Sequence, residues 1–250
     1  MSIPREAELA ESLVAVRERL DRAASAAGRD AGEIELLTVT KFFPASDVFL
    51  LTKLGCTAFG ESREPEASNK VAEVAALLSS EMPVPPIRWH MVGSIQRKKA
   101  RMVAGWAYAA HSVDSEGLIG ALGRAAVTAL EDGRRTAPLR VYLQLSLDGD
   151  PARGGVDIAR TDLVDELCAL ADSTDGLDFV GLMAVPPLGA DEEESFARLE
   201  AELHRVQGLY QQRLGLSAGM SGDLETAVKH GSTCVRVGTA VLGNRPLTSP

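Results

Sequence analysis

Leu216-Ser-Ala-Gly-Met-Ser-Gly-Asp223, followed by His230-Gly-Ser-Thr-Cys-Val-Arg-Val-Gly-Thr239, is the stretch on which the fold turns. Each half is a short strand ending in small, hydroxylated or glycine residues, and a helix fits between them. Gly238 and Thr239 offer backbone N–H groups with no bulky side chain in the way, and Ser221 adds a hydroxyl. Together they suit a phosphate, given a short helix that begins just after Gly238.

The same alternation continues upstream. The chain opens with a helix from about Arg5 to Ala27, with Leu9, Leu13, Val14, Val16 and Leu20 along one stripe, and Gly28 stops it. Strands are predicted at Ile34–Thr40, Thr57–Gly60, Arg88–Val92, Tyr108–Val113, Leu139–Leu145 and Phe179–Met183. Helices fall between them at Ala45–Leu54, Glu64–Ser79, Gln96–Ala104, Ser115–Leu130, Arg160–Ala171 and Asp191–Leu214. The Pro83-Val-Pro-Pro86 stretch breaks the chain, and Asp148–Gly155 is a glycine-rich loop. With the two C-terminal strands this makes eight β-then-α units and one leading helix. Strict alternation implies parallel strands with helical crossovers. Eight units in 250 residues fit a single (β/α)₈ TIM barrel, with a doubly wound open sheet as the lesser alternative. No solenoid repeat or low-complexity linker divides residues 1–250, so one domain is expected.

Composition narrows the function classes. The net charge of −9 argues against a general nucleic-acid or membrane-surface binder, although Arg97-Lys-Lys-Ala-Arg101 is a local basic patch, read as a solvated helix face. Three cysteines, Cys56, Cys168 and Cys234, leave one unpaired in any disulfide scheme and lack metal-like spacing, as expected of a reduced cytoplasmic protein. The N-terminus is charged and then amphipathic, unlike a signal peptide, and no apolar run approaches membrane-spanning length. The four histidines show no H-E-x-x-H spacing, so no metal site is expected. The Gly-rich loop lacks the G-x-x-x-x-G-K-[ST] pattern.

In a barrel of this kind chemistry gathers at the C-terminal ends of the strands. Lys41, Glu61, Ser62, Gly93, Gln96, Asp114, Ser115, Ser146, Met183, Ser221, Gly238 and Thr239 all fall there. A lysine closing a strand normally points into water. Lys41, at a barrel mouth that also carries a phosphate cradle, instead suggests a phosphorylated aldehyde held as a Schiff base. Partial burial and nearby cations would favour the neutral amine that this needs. Arg236 stands two residues before Gly238 on the same strand face, toward the interior. It would either donate to a ring nitrogen of a cofactor or pair with an interior acid such as Glu61. His90 and His111 are read as structural histidines, hydrogen-bonded within the barrel.

Val39-Thr-Lys41, Phe59-Gly-Glu-Ser62, Trp89-His-Met-Val-Gly-Ser-Ile-Gln96, His111-Ser-Val-Asp-Ser115, Gln144 with Gly154-Gly-Val156, Gly181-Leu-Met183 and the whole of Leu216–Gly243 form an ordered set. By that set the chain resembles, along essentially its full length, the pyridoxal-phosphate (PLP) homeostasis proteins of the alanine-racemase N-terminal-domain type. The resemblance implies a single barrel holding pyridoxal 5′-phosphate covalently on Lys41. It implies the phosphate on Ser221, Gly238 and Thr239, Arg236 at the pyridine nitrogen, and Ser62 and Met183 among the cofactor contacts. An arginine at that nitrogen would keep it unprotonated and weaken the ring as an electron sink. The chain departs from the family where Gly60-Glu-Ser-Arg63 replaces the usual Gly-Glu-Asn-Tyr, where Ser146 stands for asparagine, and where Ala218 stands for methionine.

The resemblance therefore implies a PLP-binding protein of cofactor homeostasis, with PLP and recipient apo-PLP enzymes as partners and no catalytic residues of its own. A monomer is expected because no apolar surface helix stands out, and the cysteine usage points to the cytoplasm. The alternative is a PLP-dependent amino-acid racemase. Two-base racemization needs an acid/base group on each face of the substrate. Related alanine racemases bring a tyrosine from a second, β-rich domain, and this chain ends at Pro250, soon after its last strand. Tyr108, Tyr142 and Tyr210 are expected in strands or a helix, away from the mouth. A Schiff-base aldolase of the same fold would place its lysine on a later strand.

Overall fold

The computed structural model describes residues 4–79 and 86–244. Its strands are β1 (Glu35–Val39), β2 (Ala58–Glu61), β3 (Arg88–Met91), β4 (Ala109–Val113), β5 (Leu139–Ser146), β6 (Val156–Asp157), β7 (Leu177–Ala184), β8 (Gly215–Ser217) and β9 (Cys234–Val237). All pairings are parallel, and the pairs β1–β9 and β4–β5 close the ring, leaving only β6 outside it as a flap on β5. The closed eight-stranded barrel is the one expected from the alternation. The two-residue β6 was not foreseen, because so short a strand carries no periodicity. The proline-rich break at 83–86 lies almost wholly outside the described residues.

The helices are α1 (Arg5–Ala26), α2 (Ala45–Lys53), α3 (Glu66–Leu78), α4 (Ala100–Trp106), α5 (Glu116–Glu131), α6 (Thr161–Ser173), α7 (Glu192–Gln207), α8 (Leu224–Lys229) and α9 (Thr239–Leu242). The helix expected at Gln96–Ala104 begins instead with a 3₁₀ turn at Arg97–Lys99. The one expected to reach Leu214 stops at Gln207. There the Gln207 side chain donates to the carbonyls of Tyr210 (3.1 Å) and Gln212 (2.9 Å) and accepts from the Leu214 N–H (2.7 Å), folding residues 208–214 into a loop.

Alternation along the strands separates two environments. Outward residues such as Phe59, Trp89, Val235 and Val237 pack beneath α1, α2 and α3, and Leu143, Leu145, Leu182 and Leu216 beneath the helices of the other half. Burial of each such side chain is worth roughly 1.5–3 kcal/mol. Inward residues are unusually polar: Glu35, His90, His111, Tyr142, Ser217 and Arg236.

Helix α1 buries Leu9, Leu13, Val16 and Leu20, whereas Val14, one step round the helix from Leu13, is 54 % exposed and lies off the stripe. Gly28, at φ +66°, closes the helix with the Arg29 N–H bonded to the Ala24 carbonyl at 2.9 Å, as a Schellman turn requires. Arginines on and after α1 reach α2 and the last two β-α units. Arg5 donates to Asp47 (2.7 Å) and the Leu242 carbonyl (3.0 Å), Arg19 to Glu225 (2.8 Å) and the Ser221 carbonyl (3.1 Å), and Arg29 to the carbonyls of Val228 and Ser232.

Candidate functional site

Lys41 follows β1 on a turn closed by the Phe43 N–H to the Thr40 carbonyl, 3.0 Å. Phe42 sits at φ +72°, a conformation that the third position of such a turn demands and that normally selects glycine. Holding a bulky residue there costs on the order of 1–3 kcal/mol. The Phe42 ring lies 5.9 Å from the Lys41 ammonium and 5.7 Å from the Arg63 guanidinium, so two cations share one aromatic face region. Lys41 is exposed rather than partly buried as the sequence led us to expect, because it stands on the turn beyond β1 and borders open space.

Beneath the turn lies a buried ion pair. Lys70, from α3, donates to Glu61 at 2.7 Å and to the Thr40 carbonyl at 3.0 Å, and the Thr40 hydroxyl donates to the same Glu61 oxygen at 2.7 Å. Burial raises the Glu61 pKa above the ordinary carboxylate value, against the opposing pull of Lys70. Glu61 is thus not the partner of Arg236. It shares the outward face of β2 with Phe59, whereas Arg236 points into the barrel.

The phosphate candidates gather at the neighbouring strand. Residues 234–237 of β9 pair with 35–38 of β1, so Gly238 flanks Val39 and lies close to the Lys41 turn. A Cβ on Gly238 would stand 3.2 Å from the Val39 carbonyl oxygen, so glycine lets the two strands meet here. Gly238 leads into α9, whose first residue is Thr239, and the Ala240 N–H donates to the Ser221 hydroxyl at 3.3 Å. Ser221, Gly238 and Thr239 therefore form one local cluster. Arg236 and Met183 lie deeper: Arg236 is 6 % exposed and donates to the carbonyl of Ala184, the residue after Met183, at 2.9 Å. Burial lowers the arginine pKa, but a guanidinium stays charged in proteins.

A cavity of about 490 Å³ opens beside Lys41, lined by Ser62, Arg63, Met91, Gln96 and Lys99 among others. A smaller one of about 260 Å³ adjoins it over Glu61 and Lys70. Ser62 is brought to Lys41; Met183, Ser221, Arg236, Gly238 and Thr239 do not line either space. Ser146 donates to Asp148 at 3.0 Å. Gly93 presses against the Ser62 backbone so closely that a Cβ would meet the Ser62 oxygen at 2.2 Å. Gly93→Ala is therefore expected to force the β2 and β3 loops apart and cost about 1–3 kcal/mol, measurable as a lower denaturant midpoint at unchanged slope.

Sequence reasoning missed Lys70, Arg63 and Phe42. Lys70 carried no signal beyond its place on a helix. Arg63 stood out only as a departure from a motif. The two histidines were read correctly as internal, but their direct pairing, 2.9 Å between His90 Nδ1 and His111 Nε2, was not foreseen. Among the described residues no cluster of histidine, cysteine or carboxylates could hold a metal, and no helix is long and apolar enough to cross a membrane. All three cysteines are free and buried.

The alanine racemase N-terminal domain family matches residues 12–246. The pyridoxal phosphate homeostasis protein of Mycobacterium tuberculosis is 57 % identical over 248 residues, covering 98 % of this chain and 96 % of that one. That of Escherichia coli is 32 % identical over 243 residues, covering 95 % and 97 %. Among solved structures, PipY of Synechococcus elongatus with PLP bound superimposes with a TM-score of 0.76 at 31 % identity, over 94 % of this chain and all of that one. Alanine racemase from Corynebacterium glutamicum, at 13 % identity and a TM-score of 0.63 over 94 % of this chain and 60 % of its own, shares the fold.

Proposed function

The chain belongs to the pyridoxal phosphate homeostasis proteins, within the alanine racemase N-terminal domain family, and on that premise we propose that it binds PLP covalently on Lys41 and buffers or delivers it. The observation that carries this reading is the pressing of Gly238 against Val39, which sets a hydroxyl-and-amide cluster beside the strand that ends in Lys41. These residues fit the cofactor. Bound PLP supplies an aldehyde that a primary amine captures reversibly with loss of water.

The chain's own residues then divide the work. The Ser221 hydroxyl and the amides of Gly238 and Thr239 would hold the phosphate. Arg236, unable to accept a proton, would donate to the ring nitrogen and keep it unprotonated. Ser62 and Met183 would border the ring. Of the three tyrosines, Tyr108 lies against His90 and Tyr142 stacks on His111 in the barrel interior, while Tyr210 packs on Phe179, which favours a carrier over a two-base racemase. The partners are PLP and apo-PLP enzymes, with no nucleic acid or membrane, and the setting is cytoplasmic. A monomer suits a surface whose large exposed apolar residues, Val14, Leu77, Leu188, Leu209 and Met220, stand on α1, α3 and three different loops.

The test is transfer. Loaded protein is mixed with an apo-PLP enzyme while a phosphatase destroys free PLP. Recovery of the enzyme's activity is expected, and sustained amino-acid racemization by the loaded protein above that of free PLP would overturn the carrier reading. Ser221→Ala is expected to weaken PLP binding about tenfold, the loss of one hydrogen bond to a charged group. Affinity for pyridoxal, which lacks the phosphate, should stay unchanged in the same titration.

A further inference from the structure

Arg236, Ser217, His111, His90 and Glu35 stand in file through the barrel interior. Arg236 Nη1 donates to Ser217 Oγ at 2.6 Å; Ser217 Oγ lies 2.8 Å from His111 Nδ1; His111 Nε2 lies 2.9 Å from His90 Nδ1. His90 Nε2 has no hydrogen-bond partner, and a Glu35 oxygen stands 3.7 Å from it. Glu35 opens β1, six residues before Lys41, and at about 3.3 Å per residue the file crosses most of the barrel's depth. Its far end is held by Arg88, 2.8 Å from Glu35.

The two ends set the direction of the protons. A guanidinium only donates and a carboxylate only accepts. Ser217 accepts from Arg236 and gives its own proton to His111 Nδ1. His111 then carries its proton on Nε2 and gives it to His90 Nδ1, which leaves the His90 proton on Nε2, facing Glu35. The reverse order would aim a bare nitrogen lone pair at the carboxylate. Both rings are neutral: burial, then the charges of Arg88 and Arg140, drive the His90 pKa down to about 3, and burial drives that of His111 well below its ordinary value. Tyr142 stacks on His111 with ring centroids 4.5 Å apart and Tyr108 lies against His90 at 5.4 Å, which leaves the rings little room to flip. Cys234, whose thiol burial pushes up to about 12, closes the remaining side near Glu35.

A wholly buried guanidinium is costly without compensation. Every dipole in the file points its negative end at Arg236, and the file terminates on a carboxylate. We infer that Ser217, His111 and His90 are positioning residues that fix the Arg236 guanidinium against the cofactor ring nitrogen and tie it to Glu35 at the opposite end of the barrel. The link to the ring nitrogen rests on the PLP reading above; the file itself does not.

The first measurement needs no cofactor. Heteronuclear NMR of the histidine rings in the apo protein reports tautomer and charge. His90 and His111 are expected as neutral Nε2–H rings throughout about pH 5 to 8, where an ordinary histidine titrates. Titration of either ring in that range, or a proton on either Nδ1, overturns the inference. The second measurement follows the ring nitrogen of labelled PLP in the loaded protein. Ser217→Ala and Glu35→Leu are each expected to raise the pH at which that nitrogen protonates by about one unit, a tenfold change. Glu35→Gln keeps an acceptor and should restore wild-type behaviour. An unmoved ring-nitrogen midpoint in both Ser217→Ala and Glu35→Leu overturns the inference. Failure of the wild type to take up PLP defeats the cofactor reading instead, and the tautomers of the apo protein tell the two failures apart.

Discussion

The Lys41→Ala variant is expected to show no yellow absorbance band with PLP, and borohydride should fix no cofactor to it, while the wild type shows both. Two other lysines border the cavities beside Lys41, and the structure ranks them below it. Lys70 is engaged with Glu61 and the Thr40 carbonyl, so its use would strip a buried carboxylate of its partner. Lys99 lies across the larger cavity, away from the β9 edge where Gly238 sits. Among the lysines beside the cavities only Lys41 stands on the turn directly after β1, the strand that pairs with β9 next to the Ser221–Thr239 cluster. With the cluster intact the variant should keep weak noncovalent binding, about a hundredfold poorer, or about 2.8 kcal/mol. Peptide mapping after borohydride identifies the lysine used. A band that persists in Lys41→Ala, or one that never forms in the wild type, would remove the central assignment, and the cluster would have to serve another phosphorylated ligand.

The second large effect is on stability. Lys70→Met keeps the aliphatic stem but leaves Glu61, whose side chain is 4 % exposed, without its cation. Breaking a buried pair in this way costs about 3–5 kcal/mol. The Thr40 carbonyl also loses a donor, so the Lys41 turn loosens and PLP uptake should fall with it. Acidity partly repairs the variant. Glu61 already has a raised pKa in the folded chain, and loss of Lys70 removes an influence that lowers it. The folded state then binds a proton that the unfolded chain has released, so stability is greatest below the unfolded carboxylate value of about 4.3 and falls as pH rises through the folded value. The denaturation midpoint of Lys70→Met, set against the wild type across pH, reads this directly; a penalty that does not grow with pH would show that the Glu61 charge is not what the lysine balances. The double variant Lys70→Met, Glu61→Gln should recover part of the loss at neutral pH.

The barrel was legible because its signals are local and repeated. Gly28 and Gly55 mark the ends of α1 and α2, the apolar runs mark the eight barrel strands, and the alternation persists from Ile34 to Thr239. Val14 misled because a valine inside an amphipathic helix resembles a stripe residue until the helix is rotated against its neighbours. In the candidate site, the placement of Lys41, Ser221, Gly238 and Thr239 near one another at strand ends was legible from the alternation alone. What escaped depends on distance in space. Glu61 looked like an interior acid, and a single step of strand register sends it outward to Lys70. Phe42 adopts a glycine-like conformation that nothing in its chemistry announces. The file behind Arg236 draws on five elements, from β1, β3, β4, β8 and β9, and no spacing rule connects them.

The clasp formed by α1 has a consequence for synthesis. Arg19 grips the Ser221 carbonyl across 202 positions of chain, and Arg29 grips Val228 and Ser232 across comparable spans. During translation β1 emerges long before β9, the strand that pairs with it to close the ring. Until β9 arrives, one edge of β1 has no partner, and the arginines on and after α1 wait for the segment they hold.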